Sequence, residues 1–148
     1  MSVLHESGRR SLLPLAVHAW FLLLTGAVLQ RFVPMTRWGH LMGTPGEAGI
    51  DSPPPVASEP TLPVQRVQKG IKSAARFLPF QPSCLAQAFA GQQLLKSVEI
   101  QGHVVIGLKP GLTHPWPAHA WLVVDGKAVL GGLENEVYFP STTYSLSD

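Results

Sequence analysis

Between Arg10 and Arg31 the chain runs for twenty residues, Ser11 to Gln30, without an Asp, Glu, Lys or Arg. No other feature limits the fold so strongly. About 20 apolar residues are enough to cross a bilayer as a helix, so such a run either spans a membrane or is covered by protein. It contains Ala19-Trp20-Phe21-Leu22-Leu23-Leu24, but also Pro14 and His18, which suit a bilayer poorly. Arginines lie on both sides, so loop charge assigns no orientation to a span. No small-x-small cleavage site closes the run before Gln30-Arg31, which argues against a secretory signal. The expectation is an apolar helix packed on a soluble core or a partner, with membrane association through residues 11–30 as the alternative.

The remainder is compatible with one folded domain. The chain has 148 residues, 45% hydrophobic and 14% charged, enough apolar material for a core and too short for two ordinary domains. Eleven basic residues face nine acidic ones, scattered and netting +2. With no Lys/Arg-rich block and no zinc-finger spacing, nucleic acid is not an expected partner. A single cysteine rules out an internal disulfide and a thiolate-rich metal site. Neither a metal nor a cofactor is expected, and a reducing compartment is compatible.

Three regions follow. Residues 1–42 form an apolar N-terminal segment, helical over 11–42 and ending near Gly43. Residues 43–63 hold six prolines and three glycines, which predicts an extended linker carrying neither helix nor strand ladder. In residues 64–148, Val67, Ile71, Ala74, Ala75 and Leu78 recur at helical spacing, and Pro79 and Pro82 then break the chain. A further helix begins at Cys84, with Ser83 as its capping hydroxyl. The period then falls to two. His103 to Leu108 reads as a strand, and His119 to Val124 as another. The Asp125-Gly126 turn and a strand from Lys127 to Leu130 complete a hairpin, and one more strand is expected around Val137 to Phe139. Helices followed by a small antiparallel sheet make an α+β arrangement.

A thiol attacks carbonyl carbon as the thiolate, a form favoured by the positive end of a helix and by a nearby imidazolium. Cys84, in a predicted first helical turn, has the former. Of six histidines, His5 lies in an unstructured start, His18 in the apolar run, His40 at the end of the first helical region, His103 at a strand start and His114 in a proline-flanked loop. His119 opens a strand between Ala118 and Ala120, small residues that let another element approach. Trp121, two residues on and on the same face, can shield its ring from water. Cys84 and His119 are the candidate nucleophile and base.

The segments Cys84-Leu85-Ala86-Gln87-Ala88-Phe89, Val104-Val105-Ile106-Gly107-Leu108 and Ala118-His119-Ala120-Trp121-Leu122-Val123-Val124-Asp125-Gly126 occur in that order. With Leu94-Leu95, this set resembles the transglutaminase-like B proteins of lasso-peptide biosynthesis, in particular the stand-alone leader peptidases of the B2 type, over residues 64–145. The resemblance implies a transglutaminase-like, papain-like fold and a bacterial cytoplasmic cysteine peptidase that removes the leader from a ribosomally made precursor. It also implies a separate leader-recognition protein and a lasso cyclase as partners. Cys84 would attack the scissile carbonyl while His119 takes the thiol proton and returns it to the leaving amine. Backbone N–H groups at the helix start, with Gln81 as a side-chain candidate, would hold the oxyanion. The same thiol ester can pass its acyl group to an amine, so acyl transfer is the second enzymatic reading. A non-catalytic, membrane-anchored scaffold is the third.

One position departs from the pattern. The family carries an orienting carboxylate about twelve residues after the histidine, where this chain has Gly131-Gly132. Asp125 is too far, because six residues of strand span about 20 Å. In a regular hairpin His119 faces Gly132, and a bulge at the glycines would let Glu134 or Asn135 reach back. A water or a backbone carbonyl is the other way to orient the ring.

Overall fold

The computed structural model describes residues 2–47, 61–109, 111, 118–131 and 139–146. Helix α1 (Ser2–Phe32) leads into α2 (Met35–Trp38), a 3-10 turn (Gly39–Met42) and strand β1 (Thr44–Glu47). Helices α3 (Leu62–Ala75) and α4 (Cys84–Ser97) come next, then β2 (His103–Leu108), β3 (Ala118–Val124), β4 (Lys127–Leu130) and β5 (Phe139–Ser145). The strands form one antiparallel sheet in the order β1-β5-β2-β3-β4.

The first helical region is broken by Pro34, which caps α2 and disfavours helix in the residue before it. Helix α1 also takes in His5, expected in an unstructured start. Its inner side is fully buried at Ala19 and Leu23. There it meets α3, where Gly70 faces Leu15, and α4, where Gly26 sits against Ala86 and Phe89 so closely that a Cβ would lie 3.2 Å from each. Its outer side, with Leu13, Val17, Phe21, Val28 and Phe32, is exposed. Leu13–Phe32 has the length and composition to cross a membrane.

Helix α3 buries Val64, Val67, Ile71 and Ala74, the i, i+3, i+7, i+10 face of an amphipathic helix. Helix α4 lies between α1 and the sheet. At Gly91 a Cβ would stand 2.5 Å from Leu130 Cδ1 and 2.8 Å from Leu122 Cδ2, so helix and sheet touch through the absent side chain. The buried Gln92 donates from Nε2 to the carbonyls of Met42 (2.8 Å) and Gly102 (3.2 Å), tying the 3-10 turn to the entry of β2.

Expectations for the linker, the hairpin and the last strand are also corrected. Residues 43–63 do carry a ladder, since Thr44–Glu47 pair with Thr142–Ser145. As β1 is the edge strand, Pro45 can occupy it without breaking a ladder on its outer side. The β3–β4 hairpin begins as expected, with Val124 opposite Lys127, but its register slips beyond Val123. Val123 faces Ala128 while Leu122 faces Leu130, so Val129 is an extra, bulged residue; Gly132, expected opposite His119, lies outside the described residues. The last described strand starts at Phe139 and runs to Ser145, further than expected.

If α1 is part of the folded unit, Leu23→Ala should cost about 2–5 kcal/mol, the usual range for emptying a buried leucine site. Urea denaturation measures this, and an unchanged midpoint would show that α1 is dispensable to the fold.

Candidate active site

Ser83 takes the extended conformation of an N-cap, and its hydroxyl accepts from the Ala86 N–H at 3.1 Å. The same hydroxyl donates to Gln30 Oε1 at the end of α1. Cys84, the first residue of α4, is thereby held by its own cap and by the neighbouring helix. Its thiol is half-buried and packed against the core. It stands in the first turn, where the unpaired N–H groups of a helix and the positive end of its dipole lie. Gln81 lies three residues ahead and is exposed.

His119 is the second residue of β3, opposite Gly107 of β2. Trp121 stacks beside it, with ring centroids 6.1 Å apart and planes inclined by 24°. The indole extends over Gly107, where a Cβ would lie 2.6 Å from Trp121 Cη2. The glycine opposite the histidine is thus what admits the tryptophan. His119 Nε2 is hydrogen-bonded to the carbonyl oxygen of Gly131. A carbonyl can only accept, so Nε2 carries the proton.

Leu95, near the end of α4, meets Gly102, just ahead of the β2 residue that pairs with Val123; Gly91, one turn earlier, meets Leu122 and Leu130. Helix α4 therefore runs along β3 with its first turn towards the Ala118 end. Cys84 and His119 belong to the same end of this helix–strand pair. Strand alternation sends Ala120, Leu122 and Val124 beneath α4 and turns His119 and Trp121, both half-buried, to the other face. Among the described residues, no hydrogen bond joins Cys84 Sγ to His119.

The other candidates are elsewhere. Asp125 is exposed in the turn with a φ of 51°, at the far end of β3 from His119. His103 bonds through Nδ1 to Ser145 Oγ at 2.7 Å. Its place in β2 is four residues from Gly107, roughly 13 Å along the strand. His18 and His40 are exposed. Glu134, Asn135 and His114 lie outside the described residues. Among the described residues no cluster of three His, Cys, Asp or Glu forms a metal site.

A family model described as the transglutaminase-like superfamily matches residues 26–143. The chain belongs to that superfamily. No significant match to a curated protein or to a solved structure accompanies it. Membership agrees with the α+β fold and with a cysteine-dependent enzyme framework, in which a cysteine peptidase and an acyltransferase are sister chemistries. The matched span takes in the end of α1 as well as the Cys84 helix and the His119 strand.

Sequence reasoning missed Gln68, whose Nε2 donates to the carbonyl of the bulged Val129 at 2.6 Å. An exposed-looking glutamine on α3 has no local signature that ties it to a strand sixty-one residues away.

Removing the Ser83 hydroxyl strips α4 of its cap and of its link to Gln30. Ser83→Ala should lower stability by about 1 kcal/mol and slow alkylation of Cys84 by iodoacetamide, followed by mass spectrometry at neutral pH. An unaltered alkylation rate would show that the cap does not set the environment of the thiol.

Proposed function

We propose that the protein is a cysteine peptidase that removes the leader from a ribosomally synthesised lasso-peptide precursor. The observation that carries this reading is Cys84 in the capped first turn of α4, at the end of the helix–strand pair to which His119 belongs, within a transglutaminase-like chain. Cys84 Sγ attacks the scissile carbonyl carbon. His119 accepts the thiol proton and passes it to the leaving amine, and water then resolves the thiol ester. Main-chain N–H groups of the first turn of α4 stabilise the oxyanion, with Gln81 as the side-chain candidate. Catalytic hydrogen bonds commonly close only in the substrate complex, which accommodates the absence of a direct Cys84–His119 bond.

The resemblance of the ordered set from Cys84 to Gly126 to leader peptidases supports this over general acyl transfer, for which the same residues would serve. The precursor peptide, a separate leader-recognition protein and a lasso cyclase are the partners it implies. The reading places the enzyme in the bacterial cytoplasm, with the exposed apolar side of α1 as the surface for membrane association. One observation favours a non-catalytic scaffold instead: strand alternation turns His119 away from the face that α4 covers.

The two are separated by cleavage of the precursor, supplied with its recognition protein and followed by mass spectrometry. Cys84→Ala and His119→Ala should each abolish cleavage without moving the melting temperature by more than a few degrees. Asp125→Asn should leave it within about twofold, as expected of an exposed turn residue. Full activity of either alanine variant would end the peptidase reading.

A further inference from the structure

The Cys84 peptidase reading leaves open what orients His119, because two glycines occupy the position of the orienting acid. We propose that the main-chain carbonyl of Gly131 is the positioning group for the His119 imidazole, and that the bulge at Val129, held by Gln68, delivers it. The proposal rests on that reading for its kinetic consequence, but not for its structural one.

Three observations converge on this short segment. His119 Nε2 is bonded to the Gly131 carbonyl. Leu130, the residue before, is buried and seated in the gap left by Gly91 of α4. Val129, one further back, is the extra residue of the β4 bulge, and its carbonyl accepts from Gln68 Nε2 of α3. Two helices therefore grip consecutive residues of β4, and the next residue presents its carbonyl to the imidazole.

Gly131 itself is demanded by this geometry. Its φ is 75°, a left-handed conformation that side-chain-bearing residues rarely adopt. A Cβ there would lie 2.7 Å from the Ala120 carbonyl oxygen, a backbone atom that cannot swing aside. A larger residue must displace the peptide unit that carries the carbonyl.

The chemical effect is definite. A ring that donates from Nε2 keeps the basic lone pair of its neutral form at Nδ1. The carbonyl selects this tautomer and restrains rotation of the ring, as an orienting carboxylate would. Being neutral, it offers the imidazolium a dipole instead of a full charge.

The test reads the tautomer first. In protein labelled with nitrogen-15 at histidine, the neutral His119 should show its proton on Nε2 and an unprotonated Nδ1. Gly131→Ala should mix the tautomers, move the acidic limb of the cleavage pH profile and lower kcat by about 10²-fold, the usual effect of a displacement near 1 Å, with KM little changed. Gln68→Ala, which frees the bulge without touching the glycine, should shift the same observables in the same direction by a smaller factor. If Gly131→Ala does not fold, the wild-type spectrum and Gln68→Ala still decide. A neutral His119 protonated on Nδ1 overturns the proposal, as does a folded Gly131→Ala with unchanged tautomer and pH profile. Failure of the peptidase reading looks different: the Nε2–H tautomer would be present and depend on Gly131, with no precursor cleaved.

Discussion

The structure depends on the two close approaches that helix α4 makes, one on each side. Towards α1, Gly26 comes against Ala86 and Phe89; towards the sheet, Gly91 is overlain by Leu122 and Leu130. Interiors are packed to near crystal density, so contacts with no intervening side chain leave little freedom for sliding. The cap adds direction at the N-terminal end, where Ser83 is bonded to both Ala86 and Gln30. Cys84 takes its place from these constraints together with its own packing against the core.

The same packing changes the meaning of the charge-free N-terminal run. Its length and composition suit a membrane span, yet Ala19 and Leu23 are fully buried against protein. Drawing α1 into a bilayer would strip α4 of one wall. The exposed stripe of Leu13, Val17, Phe21, Val28 and Phe32 is compatible with an interfacial helix that keeps its inner side on the domain. A helix with two apolar sides reads from sequence as a span, because hydropathy does not record which side a protein covers.

What was legible in the sequence was local. Ser83 as cap, Cys84 as the first helical residue, His103–Leu108 as a strand and the Asp125-Gly126 turn are set by short-range chemistry, and each is found as expected. What was not legible depends on distant partners. β1 exists because β5 lies beside it, despite Pro45. The bulge at Val129 exists where Gln68 and Gly91 grip neighbouring residues from two helices. Candidate base and nucleophile were legible as residue types in a pattern; that His119 points to the sheet face opposite α4 was foreseeable only once α4 was known to cover the Leu122 face.

The glycine pair shows how one slipped residue alters chemistry. In a regular hairpin His119 would face Gly132, and the absence of an acidic side chain there would leave the ring unoriented. The bulge displaces β4 by one residue, and the left-handed Gly131 then turns its carbonyl to Nε2. A backbone acceptor cannot be lost by changing a side chain, but it can be lost by any residue that will not adopt that φ. The constraint on the site therefore moves from an acid that supplies charge to a glycine that permits a conformation. Loss of an orienting acid is costly in a triad largely because the wrong tautomer results. A carbonyl that fixes the tautomer recovers that part of the function, and being neutral it contributes a dipole to the imidazolium where an acid would contribute a charge.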